Sequence, residues 1–295
     1  QGRFMWCVSY LENTHASLVL LLPSKGLTAR KDQELKEKMA GIKAGLSREE
    51  MEKIITDTRE LKAYQESEDA KEDLEKIPML TRADMKKEAA GFVNDELKIG
   101  DTRLLYHELF TNGIGYLRLI FDLDQIPEEY FPYIGILKGT LGLLNTEHYS
   151  YGDLFNETNI VTGGMSAVNN FYGRVEDPGK YHVTLELKTK VLYENIPTAI
   201  RLMEEIVLTS DFTDEKRLKE ILAEGKSRMQ AQMISAGHSV AAGRALSYGN
   251  AAGRINEILS GLDFYRLICD LDAHFEEKKE ELKEKLLTLA KMTFR

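Results

Sequence analysis

Residues 110–123 read FTNGIGYLRLIFDL, and the pair Asn112-Gly113 near its start decides how the stretch folds. Asn-Gly enters left-handed backbone conformations at little cost, and between alternating apolar residues it is a strong hairpin signal. Residues 103–108 before the pair and 115–122 after it both have strand character, which predicts an antiparallel pair of strands. Downstream, Pro127 stands where a helix can begin, with Glu128 and Glu129 suited to its first turn. That helix is expected to run to about Leu144, and a short one follows near 151–158. Two further strands are predicted around 164–172 and 181–189, linked by the turn Glu176-Asp177-Pro178-Gly179. From Ile196 onward the pattern is helical, with Thr213 as expected N-cap and Asp214 and Glu215 in the first turn behind it. Strands and helices segregated in this way predict an α+β fold: an antiparallel sheet covered on one face by helices.

Upstream the texture changes twice. The run ASLVLLLP, residues 16–23, is β-like and ends in the turn Pro23-Ser24-Lys25-Gly26. One strand cannot bury its own faces, so it is expected to belong to a sheet. Residues 28–75 are dense in charge, with Leu35, Met39, Ile42 and Leu46 at helical spacing. Gly45 is placed to end that helix, and Ser47-Arg48-Glu49-Glu50 reads as a capping box opening another. Met51, Ile54, Ile55, Thr58 and Leu61 continue a narrow apolar stripe, which gives a helical hairpin ahead of the sheet. Taken alone, such a charged segment reads as a solvated spacer.

The chain of 295 residues is long enough for one large domain or two smaller ones. With 43% hydrophobic and 29% charged residues it has the balance of a globular protein rather than a disordered one. A net charge of −9, with Lys and Arg interleaved among acids, argues against nucleic acid as a partner. Cys7 and Cys269 lie far apart and suit buried thiols better than a disulfide or zinc site. No membrane role is expected, because no apolar run nears the ~20 residues needed to span a bilayer. No cleavable leader opens the chain, so a cytoplasmic location is the default expectation. The abrupt opening QGRFMWCVSY is nevertheless that of a fragment whose targeting signal would lie elsewhere.

Six histidines could carry chemistry. A zinc peptidase of the relevant kinds needs HExxH or the inverted HxxEH, and neither occurs. Glu147-His148 is half of such a motif, but position 144 is Leu144 and the pair sits among the loop residues Asn145, Thr146, Ser150 and Gly152. His107 and Glu108, adjacent on an expected strand, would point to opposite faces and cannot share a metal. His182 is expected on a sheet surface, and His274 ahead of FEEKKEELKEKL on a solvated one. His238-Ser239 invites a nucleophile reading but lacks a placed acid and a nucleophile elbow. The small residues of SAGHSVAAGRALSYGNAAGR, residues 235–254 with Arg244 and Arg254 among them, point instead to close helix packing. Thr162-Gly163-Gly164 lacks the spacing of a phosphate loop and reads as a tight turn into a strand. The residues thus predict no catalytic, cofactor-binding or metal-ligating position in this chain.

Several segments together resemble the presequence-protease-like branch of the insulinase-type zinc metallopeptidases. They are FTNGIGYLRLIFDL (110–123), NTEHYSYGDL (145–154), NIVTGGM (159–165), GHSVAAGRALSY (237–248) and the entry ENTHASLVLLLPSKGL (12–27) with the charged helices after it. The resemblance implies metallopeptidase LuxS/MPP-like α+β domains arranged as a two-halved clam-shell. Residues 1–26 would end a preceding domain, 27–76 would form the helical hairpin linker, and 77–295 would be most or all of the non-catalytic third domain. Zinc is then expected in an N-terminal domain outside this chain, with no cofactor here. The expected partners are a peptide substrate and, by intramolecular packing, the catalytic half. The resemblance further implies a chamber-wall and hinge role, and an acidic lining favouring basic peptides is one expectation. The alternative is a stand-alone protein-binding scaffold of the same fold.

Overall fold

The computed structural model describes residues 17, 19, 20, 22, 24–88, 91, 93–174, 176, 177 and 179–295. Four of the eight residues of the strand expected at 16–23 fall outside them, as do Cys7 and His15. The chain divides into two compact units, Gln1–Gly91 and Phe92–Arg295.

In the first unit, helices α1 (Leu27–Gly45) and α2 (Arg48–Glu66) are joined through Leu46 and Ser47. The capping box is formed: Ser47 Oγ accepts from Glu50 N at 3.2 Å, and Ser47 N donates to the Glu50 carboxylate at 2.8 Å. The backbone bond from Ser47, followed by the hydroxyl bond, holds the Glu50 carboxyl below its ordinary pKa. Neither helix has a buried residue, and Leu35, Met39, Ile42, Ile54, Ile55 and Leu61 are all exposed. The stripes legible in the sequence are therefore present without a covering layer among the described residues of this unit. A single helical turn, α3 (Lys71–Leu74), follows.

The second unit opens with a hairpin of β1 (Asp95–Ile99) and β2 (Thr102–Tyr106), turning through Gly100 at φ 61°. This corrects the pairing expected around Asn112-Gly113. The strand before that pair bonds backward to β1, and β3 (Ile114–Asp122) pairs with β5 (Tyr181–Leu192). The Asn-Gly turn itself is real. Asn112 and Gly113 have φ 52° and 83°, and Ile114 N donates to Thr111 O at 3.2 Å. Gly113 O also accepts from Tyr193 N, so the turn docks the start of β3 onto the end of β5. Turn chemistry sets local dihedrals, while the choice of partner strand is made by burial farther along the chain.

β4 (Thr162–Gly173) lies on the other side of β5, giving an antiparallel sheet of order β3-β5-β4. Thr162-Gly163-Gly164 enters β4 through a register shift, with Gly164 at φ 101°. Helices α4 (Phe131–Thr140) and α5 (Tyr151–Val161) connect β3 to β4. α4 stops four residues short of Leu144 because Gly142, at φ 78°, turns the chain away. After β5 come α6 (Ile196–Thr209), α7 (Glu215–Ser235), α8 (Gly237–Leu246), α9 (Ala251–Ser260), α10 (Leu262–Ala273) and α11 (Phe275–Phe294). Asp214, not Thr213, caps α7. Its carboxylate accepts from Arg217 N at 3.0 Å, while the Thr213 hydroxyl is taken by Asp211 at 2.6 Å.

The core lies on one side of the sheet. Val183, Leu185, Leu187 and Val191 of β5 are buried and alternate along the strand. Val183, Leu185 and Leu187 meet Ile134 and Leu137 of α4, Leu202, Met203 and Ile206 of α6, and Leu282, Leu286 and Leu289 of α11 in one cluster. Helices packed on one sheet face are the α+β arrangement that the segregated pattern implies. Among the small residues of 235–254, Gly253 is the one pressed against backbone: a Cβ there would come within 2.6 Å of Leu246 O.

Candidate functional site

The other face of the sheet carries the polar and aromatic members of the alternation. Register places Tyr116, Arg118 and Ile120 of β3 beside Thr184, Glu186, Lys188 and Lys190 of β5, with Val168, Asn170 and Tyr172 of β4 on the far side. Tyr116 is 68% exposed, Ile120 53% and Tyr172 44%, so this face has no helical cover among the described residues of the unit. Glu186 nevertheless has no exposed surface. Its Oε1 accepts from Tyr172 Oη at 2.7 Å and from Thr184 Oγ1 at 2.9 Å, and Arg118 Nη1 stands 3.3 Å from Oε2. Enclosure alone would raise its carboxyl pKa. Hydrogen bonds from Asn170, Tyr172 and Thr184, with the Arg118 charge, overcome that and hold it below the ordinary value. The Tyr172 phenol is pushed up in turn, chiefly by its bond to Glu186. Arg118, Lys188 and Lys190 face Glu186 and Asp122 across this surface, so it is not acidic.

At the end of the sheet, His182 Nδ1 lies 2.5 Å from Asp124 Oδ2 and 3.8 Å from Asp122 Oδ2. Among the described residues this is the one group of three donors close enough to hold a metal ion. All three are exposed, and the carboxylates already accept from backbone: Asp124 from Val183 N and Asp122 from Asp124 N. The cluster fastens the end of β3 to the start of β5, which places His182 on the sheet surface as its alternation implies.

His148 lies in the loop between α4 and α5 and binds α6. Its backbone N donates to Glu205 Oε1 at 2.8 Å, and its Nδ1 is 3.0 Å from Oε2. Hydrogen bonding to Glu205, then the Glu205 charge, raises the His148 pKa. Burial would raise that of Glu205, but bonds from His148, Thr146 and Thr209 lower it overall. The signs fix a pH window. The His148 contribution is complete below its unfolded pKa of about 6.5 and fades as pH climbs through the raised folded value. The Glu205 contribution is lost as pH falls through its lowered value. The difference in Tm between wild type and His148→Ala is expected to peak near pH ~5.5 and to shrink on both sides. Thermal melts across pH check it; a difference that keeps growing above pH ~8 contradicts the assignment.

Two further histidines hold local structure. His107 lies just past β2, its Nδ1 3.1 Å from Val93 O, and His274 Nδ1 is 3.1 Å from Asp270 Oδ1. His238 and Ser239 are exposed neighbours in the first turn of α8, pointing in different directions around the helix. What organises that region is Arg244, which reaches Glu257 at 2.8 Å, Asp263 at 2.9 Å and Tyr248 Oη at 3.0 Å. Arg254 joins Asp263 at 2.6 Å. These ion pairs clamp α8, α9 and α10 together, so helix-junction packing accounts for the segment. Both arginines stand out in the sequence, whereas their partners do not. The grouping of Arg118, Tyr172 and Glu186 gave no local signal, since its members meet only through strand register.

A family model for the domain associated with peptidase family M-16, subfamily C, matches residues 21–271. Protein HypA of Clostridium perfringens is 35% identical over 284 residues, which is 96% of this chain and 29% of that protein. Presequence protease 1 (chloroplastic/mitochondrial) of Arabidopsis thaliana is 26% identical over 94% of this chain and 26% of its own length. Mitochondrial presequence protease of Xenopus laevis is 25% identical over 87% of this chain and 25% of its own. The chain spans less than a third of the length of these curated relatives.

Proposed function

Because this chain belongs to the family of domains associated with the subfamily C peptidases, we propose that it is the non-catalytic segment of a zinc-dependent endopeptidase that degrades peptides within a closed chamber. The family match over residues 21–271, in a chain without HxxEH, carries this reading. The zinc does not fit here. α4, the helix in the place of the motif-bearing one, presents Ile134, Ile136 and Leu137 to the core and holds no His, Cys, Asp or Glu. This segment's contribution is therefore shape and surface.

The sheet face bearing Tyr116, Ile120 and Tyr172 is the proposed chamber wall. Aromatic and aliphatic groups exposed on a firm sheet suit contact with unfolded peptide of varied sequence. That face carries three cations against two carboxylates, so the proposal does not include selection of basic peptides by an acidic lining. The exposed stripes of α1 and α2 and the exposed apolar residues of β1 and β2 are proposed to pack against the rest of the enzyme. In this reading α1 and α2 form the connection between its halves. The names of the relatives place some of those proteins in mitochondria or chloroplasts. For this chain, no helix among the described residues is long and apolar enough to cross a membrane.

The test is reconstitution. The chain alone is expected to cleave no fluorogenic peptide and to hold no stoichiometric zinc. Supplied with the polypeptide bearing the HxxEH half, it should support cleavage that a chelator abolishes. Chelator-insensitive cleavage by the chain alone overturns the proposal, and a scaffold role gains if no such half confers activity.

A further inference from the structure

A cavity of about 330 Å³ lies between β4, the edge strand of the sheet, and helices α4 and α9. Its walls are largely apolar, with Phe171, Ile255 and Leu259 among them. Five polar residues interrupt that lining: Asn170 is engaged by Glu186, and Ser260 Oγ donates to Asn256 Oδ1, which leaves Asn169 and Lys138. Asn169 has both its amide oxygen and its amide nitrogen buried and, among the described residues, without a hydrogen-bond partner. Buried amides are nearly always satisfied, and one left open in a cavity wall marks the place where a ligand's polar atoms belong. Lys138, in the last turn of α4, also lines the cavity. It is half-buried, and among the described residues no carboxylate pairs with it. Burial, helped by the charge of Arg228, lowers its ammonium pKa.

The donors and acceptor define the ligand. A lysine ammonium and an amide N–H₂ favour an anion, and a single cation between apolar walls favours a monocarboxylate over a phosphate. The open amide oxygen requires in addition an N–H beside that carboxylate. An α-carboxylate next to a backbone N–H, with an aliphatic side chain for the apolar walls, is the end of a peptide. We propose that this cavity binds the free C-terminal residue of a peptide, with Lys138 and the Asn169 N–H₂ on the carboxylate and Asn169 Oδ1 on the adjoining N–H. The proposal concerns the cavity alone and stands whether or not the segment belongs to a chamber wall.

Calorimetric titration of the full chain with three probes tests it. N-acetyl-leucine has all the required groups, N-acetyl-leucinamide lacks the carboxylate, and 4-methylpentanoate lacks the N–H. N-acetyl-leucine is expected to bind saturably, with the amide weaker by about tenfold or more and 4-methylpentanoate weaker by about threefold or more. Lys138→Met should erase the preference for acid over amide while leaving the melting temperature unchanged or higher, because it removes an unpaired half-buried charge. Asn169→Asp, which puts a carboxylate into the same cavity wall, should abolish binding of the acid by an independent route. Three results overturn the proposal: no saturable binding of N-acetyl-leucine by wild type up to about 10 mM, equal affinity for acid and amide, or full affinity in both variants. Equal binding of 4-methylpentanoate would assign the cavity to free carboxylic acids and overturn the peptide terminus as ligand.

Discussion

Gly135→Ala is expected to destabilise the second unit by about 1–3 kcal/mol, although alanine is the better helix former. Gly135 sits inside α4 where α9 and α10 press closest. A Cβ built there overlaps the Leu259 carbonyl oxygen and comes within 2.5 Å of the Phe264 ring. The ring could rotate away, but the carbonyl is backbone at the end of α9, so relief requires one helix to move. Gly139, one turn later in the same helix, has nothing within 4 Å of the place an added methyl would take. Gly139→Ala should therefore stabilise by about 0.4–1 kcal/mol through the lost freedom of the unfolded chain. Denaturant midpoints of the two variants, read against wild type, should move in opposite directions. Equal shifts would mean that helices α4 and α9 can separate at Gly135 without cost.

Leu185→Ala is the other large loss expected, about 2–5 kcal/mol. Leu185 is 1% exposed on the central strand, opposite Phe121 of β3 and Asn169 of β4, with its side chain in the core. Truncation leaves a hole bounded on both sides by hydrogen-bonded strands and above by helices, which limits collapse around it. For a unit of this size the melting temperature should fall by roughly 4–20 °C. Ile120→Ala on the opposite face supplies the contrast. Ile120 is 53% exposed, so its loss should cost less than about 1 kcal/mol. A large cost at Ile120 would show that something covers the face proposed as chamber wall.

How much was legible depends on the range of the interactions concerned. The Ser47–Glu50 box, the start of a helical segment at Pro127, the turn dihedrals of Asn112-Gly113 and the glycine entry into β4 are each settled within about four residues, and each is present. The Thr213 cap failed by one position because Asp211, two residues back, captured its hydroxyl. β1, with the sequence DELKI and no buried face, gave too weak an alternation to be read as a strand. Its presence changed the partner of β2. The Arg118–Tyr172–Glu186 cluster and the Lys138–Asn169 cavity join residues that lie far apart along the chain. Only the register of β3, β5 and β4 and the packing of α4 and α9 beside β4 bring them together.

By itself, the sequence determined the α+β pattern, the family, and the lack of the inverted zinc motif. These follow from residue order, periodicity and caps, which act over one or two turns of chain. Tertiary structure decided which strands pair, which glycine bears a helix crossing, and which charges are enclosed. It also decided that the open sheet face is mixed in charge rather than acidic. Those outcomes depend on burial shared between distant segments, where one residue's environment is set by whatever the fold lays across it.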